Sequence, residues 1–103
     1  MPYRTLAAGL LAAAPLLAAA QDPQTLYVAA VAATCANCHG TAGRPVQGSP
    51  LPPLAGMPSE QMLAQLQAFK AGTRPATVMH QISKGFSDTQ LQQIAAWFAA
   101  QSR

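Results

Sequence analysis

Cys35-Ala36-Asn37-Cys38-His39 constrains this chain more than any other stretch of it. Two cysteines three positions apart lie on one side of a helical turn, so both sulfurs can reach the two vinyl groups along one porphyrin edge. The histidine that follows then lies under the iron and can offer it a ring nitrogen. C-x-x-C-H is the attachment pattern for c-type haem. Other uses of the five residues fit less well. A thioredoxin-like thiol pair needs a βαβ setting, and no strand pattern is evident. A structural zinc site takes four protein ligands, whereas the chain has two cysteines and two histidines, and His80 lies far from His39. A disulfide between Cys35 and Cys38 would close a very small loop and add little stability.

The N-terminus reads as an export signal. Arg4 supplies a charged start, Leu6 to Ala20 is an apolar run, and Ala18-Ala19-Ala20 offers a small-residue cleavage site. The run is short for a membrane span and is broken by Pro15; an uncleaved anchor is the alternative. Residues 1–20 are thus expected to be a signal peptide cut before Gln21, and residues 21–103 one small periplasmic domain with no stable membrane span. A domain of this size often needs a staple or cofactor to hold its core; a covalently held porphyrin meets that need, and the polypeptide without it is expected to fold poorly. Export would favour a disulfide, but here both thiols would be consumed as thioethers. The formal net charge of +3 falls by one when Arg4 is removed. With no basic run and no aromatic platform, nucleic acid is not a partner.

Helical patterns follow. Asp22 and Pro23 form an N-cap and first helical position, and Gln24 to Thr34 is alanine-rich, with Leu26, Ala30, Val31 and Ala33 available for one buried side. From Gly40 to Pro58, four glycines and five prolines before the next helix exclude a regular element. This loop is expected to wrap one side of the porphyrin, where a proline carbonyl can accept from the free ring nitrogen of His39. Pro58 opens a helix carrying Met62, Leu63, Leu66 and Phe69 and ended by Gly72. Thr77 to Lys84 is a shorter helix closed by Gly85. Ser87-Asp88-Thr89-Gln90 is a capping box, flanked by a Phe86 and Leu91 staple, and Leu91, Ile94, Ala95 and Phe98 make the apolar stripe of a last helix. Trp97 lies beside the stripe, against haem or in the helix crossing. The class is all-α.

With His39 on one face, iron has a sixth position to fill. A methionine thioether there gives an electron-transfer iron, and an empty position invites small ligands. Met57, Met62, Met79 and His80 are the candidates. Met62 shares the stripe of Leu66 and Phe69 and suits the core. Met57 sits in a Gly-Met-Pro turn, and remains an alternative as ligand. Met79 lies 40 positions after His39, enough chain to cross the porphyrin and return on its other face. His80 points elsewhere than its neighbour and defaults to a polar surface residue.

The chain resembles the class I c-type cytochromes over nearly all of residues 21–103. The matching residues are Cys35 to Gly40, Leu54-Ala55-Gly56 before a helix, the Met79 segment, and Ser87-Asp88 leading into Ile94-Ala95-Ala96-Trp97-Phe98. The resemblance implies a small fold with N- and C-terminal helices crossing and haem wrapped by the Pro/Gly-rich loop. It implies one haem c, with Cys35 and Cys38 as attachments and His39 and Met79 as the iron ligands. Phe69 to Met79 and Ile82 to Asp88 are similar to the monohaem cytochrome subunit of flavocytochrome c sulfide dehydrogenase. Met57 stands where those relatives commonly carry glutamine. For the family's histidine-supporting proline Pro50 is the first choice, with Ser49 and Pro52 as other positions.

The implied function is electron transport: a monohaem cytochrome, not an enzyme, that receives single electrons from a sulfide-oxidising flavoprotein subunit. A free carrier serving a terminal oxidase or another redox protein is the alternative, and a haem enzyme or gas sensor with an open sixth site is a third reading. The expected apolar wall is Leu54, Leu66, Val78, Ile82 and Trp97. Lys70, Arg74 and Lys84 flank Met79 and either steer an acidic partner or form an ordinary solvated surface.

Overall fold

The computed structural model describes residues 21–103. The expected signal peptide, residues 1–20, lies outside the described residues. Asp22 starts the first helix: its carboxylate accepts from the Thr25 backbone N–H at 3.0 Å, and Pro23 takes the first helical position. This helix, α1, spans Pro23–Ala33. A turn at Thr34 and Cys35 leads into the short α2, Ala36–His39. Three helices follow: α3 (Ser59–Ala71), α4 (Met79–Lys84) and α5 (Asp88–Ala99). Among the described residues there is no strand, and no helix is long and apolar enough to cross a membrane. The all-α class is observed.

Helix α5 packs against both α1 and α3. Its start is the predicted one. Ser87 Oγ accepts from the Gln90 N–H at 3.1 Å and Gln90 Oε1 accepts from the Ser87 N–H at 2.9 Å. Leu91, Ile94, Ala95 and Phe98 are buried, and Leu91 and Phe98 are among the most enclosed side chains. Each fully buried side chain of that size is worth roughly 1.5–3 kcal/mol. At the far end of α3, Gly72 adopts a left-handed φ of 77°. Its N–H reaches Phe69 O at 3.1 Å and the Thr73 N–H reaches Ala68 O at 3.0 Å, a pairing that satisfies the last carbonyls of the helix.

Three expectations change. The buried side of α1 is not Leu26, Ala30 and Ala33, which are exposed. Ala32 is the buried residue, with Val28, Ala29 and Val31 half-buried beside it. Alanine contributes too little contrast to fix the helix phase, and α5 selects the other side; the Tyr27 hydroxyl still joins the pair by accepting from Gln90 Nε2 at 2.8 Å. Helix α4 begins at Met79 rather than Thr77, because Val78 sits at φ −134°, ψ −25°, outside helical geometry. His80 is half-buried rather than a surface residue.

Between α2 and α3 the glycine- and proline-rich segment forms no regular element beyond one 3-10 turn, Thr41–Gly43. Backbone bonds hold it in place. Gly43 O accepts from Leu54 N at 2.9 Å and Ala55 N at 3.1 Å, and the Gly56 N–H donates to Phe98 O at 2.9 Å. Arg44 adds two bonds to Ser102, Nε to its carbonyl at 2.8 Å and an Nη to its hydroxyl at 2.9 Å. The loop is thereby fastened to the C-terminal end of α5 and closes one side of a cavity.

Candidate functional site

That cavity measures about 390 Å³, within the range of roughly 300–1,000 Å³ usual for small-molecule and cofactor sites. Its walls come from three parts of the chain. The turn from α1 into α2 contributes Thr34, Cys35, Cys38 and His39; the loop contributes Leu51, Pro52, Leu54 and Met57; α3, α4 and the link between them contribute the longest wall, with Ile94 and Phe98 of α5 as the floor. All four residues expected to hold the cofactor, Cys35, Cys38, His39 and Met79, line this one space. So do Met57 and Met62, although Met62 is 3% exposed and belongs to the core.

His39 is buried and its orientation is fixed. The ring Nδ1 lies 2.9 Å from the carbonyl oxygen of Pro52. A carbonyl can only accept, so Nδ1–H donates and the lone pair of a neutral ring is left on Nε2, as a metal ligand requires. This corrects the choice of Pro50. The loop has no period from which to count, and the bend at 50–51, with the Leu51 N–H on Ser49 Oγ at 3.2 Å, brings the carbonyl of Pro52 to the ring.

The cysteines are half-buried (Cys35) and exposed (Cys38), and their sulfurs are not joined. Burial pushes the Cys35 thiol above its ordinary pKa; a hydrogen bond involving Thr34 pulls the other way, and the nearby Cys38 adds to the rise. A redox-active C-x-x-C pair has the opposite character, a thiol lowered toward thiolate.

The apolar wall includes side chains that a small domain would otherwise hide. Leu51, Val78 and Ile82 are 39%, 52% and 43% exposed, and all three line the cavity. Leu54 and Leu66 join them; Trp97 does not. One position along α5, Phe98 faces the space, while Trp97 turns aside and meets Phe98 edge-on at 4.9 Å between ring centroids. Phe98 and Ile94 are cavity residues that the stripe of α5 disclosed only as core. Two sulfurs, an oriented imidazole, a thioether and an apolar surround form a donor set that fits haem c. Among the described residues no cluster of three His, Cys, Asp or Glu side chains offers an alternative metal centre.

Behind α4, two polar atoms lack partners: Nδ1 of His80 and Oγ of the fully buried Ser83. Neither residue lines the cavity. Of the cations near Met79, Lys70 is committed internally, donating to Phe86 O at 2.7 Å and pairing with Asp88 at 3.0 Å.

Comparison with known proteins agrees with this geometry. The chain is 43% identical over 68 residues to the thiosulfate dehydrogenase electron acceptor of Stutzerimonas stutzeri, covering 63% of this chain and 31% of that protein. It is 36% identical over 70 residues to the cytochrome subunit of sulfide dehydrogenase of Chlorobaculum tepidum, covering 68% and 62%. It is 35% identical over 79 residues to cytochrome c4 of Azotobacter vinelandii, covering 68% and 37%. The chain spans about a third of the length of two of these relatives. The family model described as Cytochrome c matches residues 20–101. The chain belongs to the cytochrome c family, whose cofactor is covalently bound haem c.

Proposed function

We propose that the chain is an electron carrier in which Cys35 and Cys38 would hold the haem as thioethers and His39 Nε2 and the Met79 sulfur would hold its iron, and that it receives single electrons in the periplasm from a dehydrogenase acting on reduced inorganic sulfur. The observation that carries the reading is the convergence of these four side chains on one apolar cavity. Bound there, haem iron supplies a one-electron couple. The chain's own residues do the rest. The Pro52 carbonyl holds the His39 ring in place. Leu54, Leu66, Phe98 and Ile82 keep water from the iron, which together with a thioether ligand raises the reduction potential.

The donor is proposed from the names of relatives. One is the cytochrome subunit of a sulfide dehydrogenase and another is a thiosulfate dehydrogenase electron acceptor. A flavoprotein that oxidises sulfide remains the first candidate, and a thiosulfate dehydrogenase is the second. Stopped-flow reduction of the matured chain by each enzyme, with its substrate present, distinguishes them; if neither reduces it faster than buffer with substrate alone, the sulfur assignment fails and the free-carrier reading stands.

The ligand assignment is tested by Met79→Ala. Expected is intact covalent haem by mass, with loss of the low-spin spectrum and rapid binding of carbon monoxide by the reduced protein. An unchanged axial spectrum in that variant, and its loss in Met57→Ala, would move the ligand to Met57.

A further inference from the structure

A second cavity, of about 540 Å³, is formed by the loop between α2 and α3 together with Gln61 of α3 and Arg103 beyond α5. Two arginines, Arg44 and Arg103, line it, and no aspartate or glutamate does. Among the described residues the one ion pair is Lys70 with Asp88, so neither guanidinium has a carboxylate within ion-pair distance. Two positive charges held in one concavity repel each other unless an anion is shared between them. We propose that Arg44 and Arg103 form a binding site for a small doubly charged oxyanion, of the size and charge of sulfate.

Both side chains are positioned by the fold. Arg44 Nε donates to Ser102 O at 2.8 Å and an Nη to Ser102 Oγ at 2.9 Å, which fastens it to the residue next to Arg103. The other Nη of Arg44 keeps its N–H groups free. The stem of Arg103 lies over Gly56, where a Cβ would come within 2.6 Å of Arg103 Cγ. An Nη of Arg103 donates to Gly56 O at 3.3 Å, and Gly56 is itself fixed by its N–H on Phe98 O at 2.9 Å. This leaves the Nε and the second Nη of Arg103 free to donate. A guanidinium fork offers an oxyanion two parallel N–H groups at a time, and Gln61 adds a neutral amide to the same wall. Because both arginines are exposed, binding is weakened by salt. Met57 lines this cavity and the haem cavity alike. An anion here therefore lies one side chain from the cofactor and favours the ferric iron. That consequence rests on the haem reading above, whereas the binding itself does not.

The test titrates sodium sulfate into the matured protein by calorimetry, with sodium chloride at equal ionic strength as the reference. The parent is compared with Arg44→Gln, Arg103→Gln, the two combined, and Lys84→Gln, which makes the same charge change off the cavity wall. Expected is one saturable sulfate site in the parent and in Lys84→Gln. Each single arginine variant should bind about tenfold more weakly, the loss of a hydrogen bond to a charged group, and the double variant should not bind. At constant ionic strength, replacing chloride by sulfate should lower the reduction potential of the parent and leave that of the double variant in place. No saturable sulfate binding by the parent, or equal binding by the double variant, overturns the proposal. So does a fall in potential that is the same in both. Arg44→Gln removes two bonds that fasten the loop. If it does not mature, Arg103→Gln decides: an unchanged sulfate affinity overturns the proposal. Absence of covalent haem from the parent overturns the haem reading instead, and the sulfate titration of the same chain still decides the site.

Discussion

Gly40, the residue after the histidine, shows how tightly single positions are set around the cofactor. It sits at φ 82°, ψ 162°, a region open almost only to glycine and costing other residues about 1–3 kcal/mol. A Cβ there would also run into the carbonyl of Arg44 and the Cα of Pro45, both backbone atoms that cannot swing away. Gly48 has a similar φ of 84° but nothing within 4 Å of a built Cβ. Two alanine substitutions thus separate strain from collision. Gly48→Ala should lower stability by about 1 kcal/mol. Gly40→Ala should cost about 3 kcal/mol or more and reduce the yield of matured protein. Denaturant unfolding of the haem-loaded variants checks the pair; equal costs would mean that the loop moves aside at Gly40. The five-residue motif was legible as a site because cysteine and histidine have few other uses at that spacing. The Pro52 carbonyl was not, since an acceptor on the backbone leaves no mark in the identity of a side chain.

At the scale of elements, legibility followed chemical contrast. The start and the buried face of α5 could be read to the residue, because a capping box and a stripe of Leu91, Ile94, Ala95 and Phe98 both point to one phase. Helix α1 could be placed but not turned correctly, because a run of alanines looks much the same from every side. Trp97, beside that stripe, is expected on the apolar wall or in the helix crossing, and one position of helical rotation sends Phe98 to the cavity instead. Helix α4 holds the least expected residue, Ser83, fully enclosed with its hydroxyl unpaired. An unsatisfied buried polar group costs about 1–3 kcal/mol. Ser83→Ala is therefore expected to stabilise the haem-loaded protein by about 1 kcal/mol, whereas Ser87→Ala, which removes the α5 cap, should cost about 1 kcal/mol. Opposite displacements of the urea midpoint are the expected result. A destabilised Ser83→Ala would show that its hydroxyl has a partner in solution, such as a water shared with His80.

For the whole molecule, the cofactor is part of the core. The buried apolar side chains among the described residues are Ala32, Ala55, Met62, Leu91, Ile94, Ala95 and Phe98, of which three are alanines. Such a set is a thin core for a domain of this size, where folded chains are marginal even when well packed. Meanwhile Leu51, Val78 and Ile82 keep 39%, 52% and 43% of their surface open along the cavity. Covering them with a porphyrin removes apolar area from water at about 25 cal/mol per Å², and thioethers tie that body to the chain. A chain with both attachment residues changed, Cys35→Ala with Cys38→Ala, loses this contribution without altering any buried residue. It should keep part of its helical signal but unfold without a sharp transition, and should bind an apolar dye, as expanded states with exposed apolar surface do. The haem-loaded parent should unfold cooperatively and leave the dye free. If the double variant instead unfolded as sharply as the parent, α1, α3 and α5 would be holding together by themselves. The cavity would then be a preformed cup rather than a space that the haem helps to build.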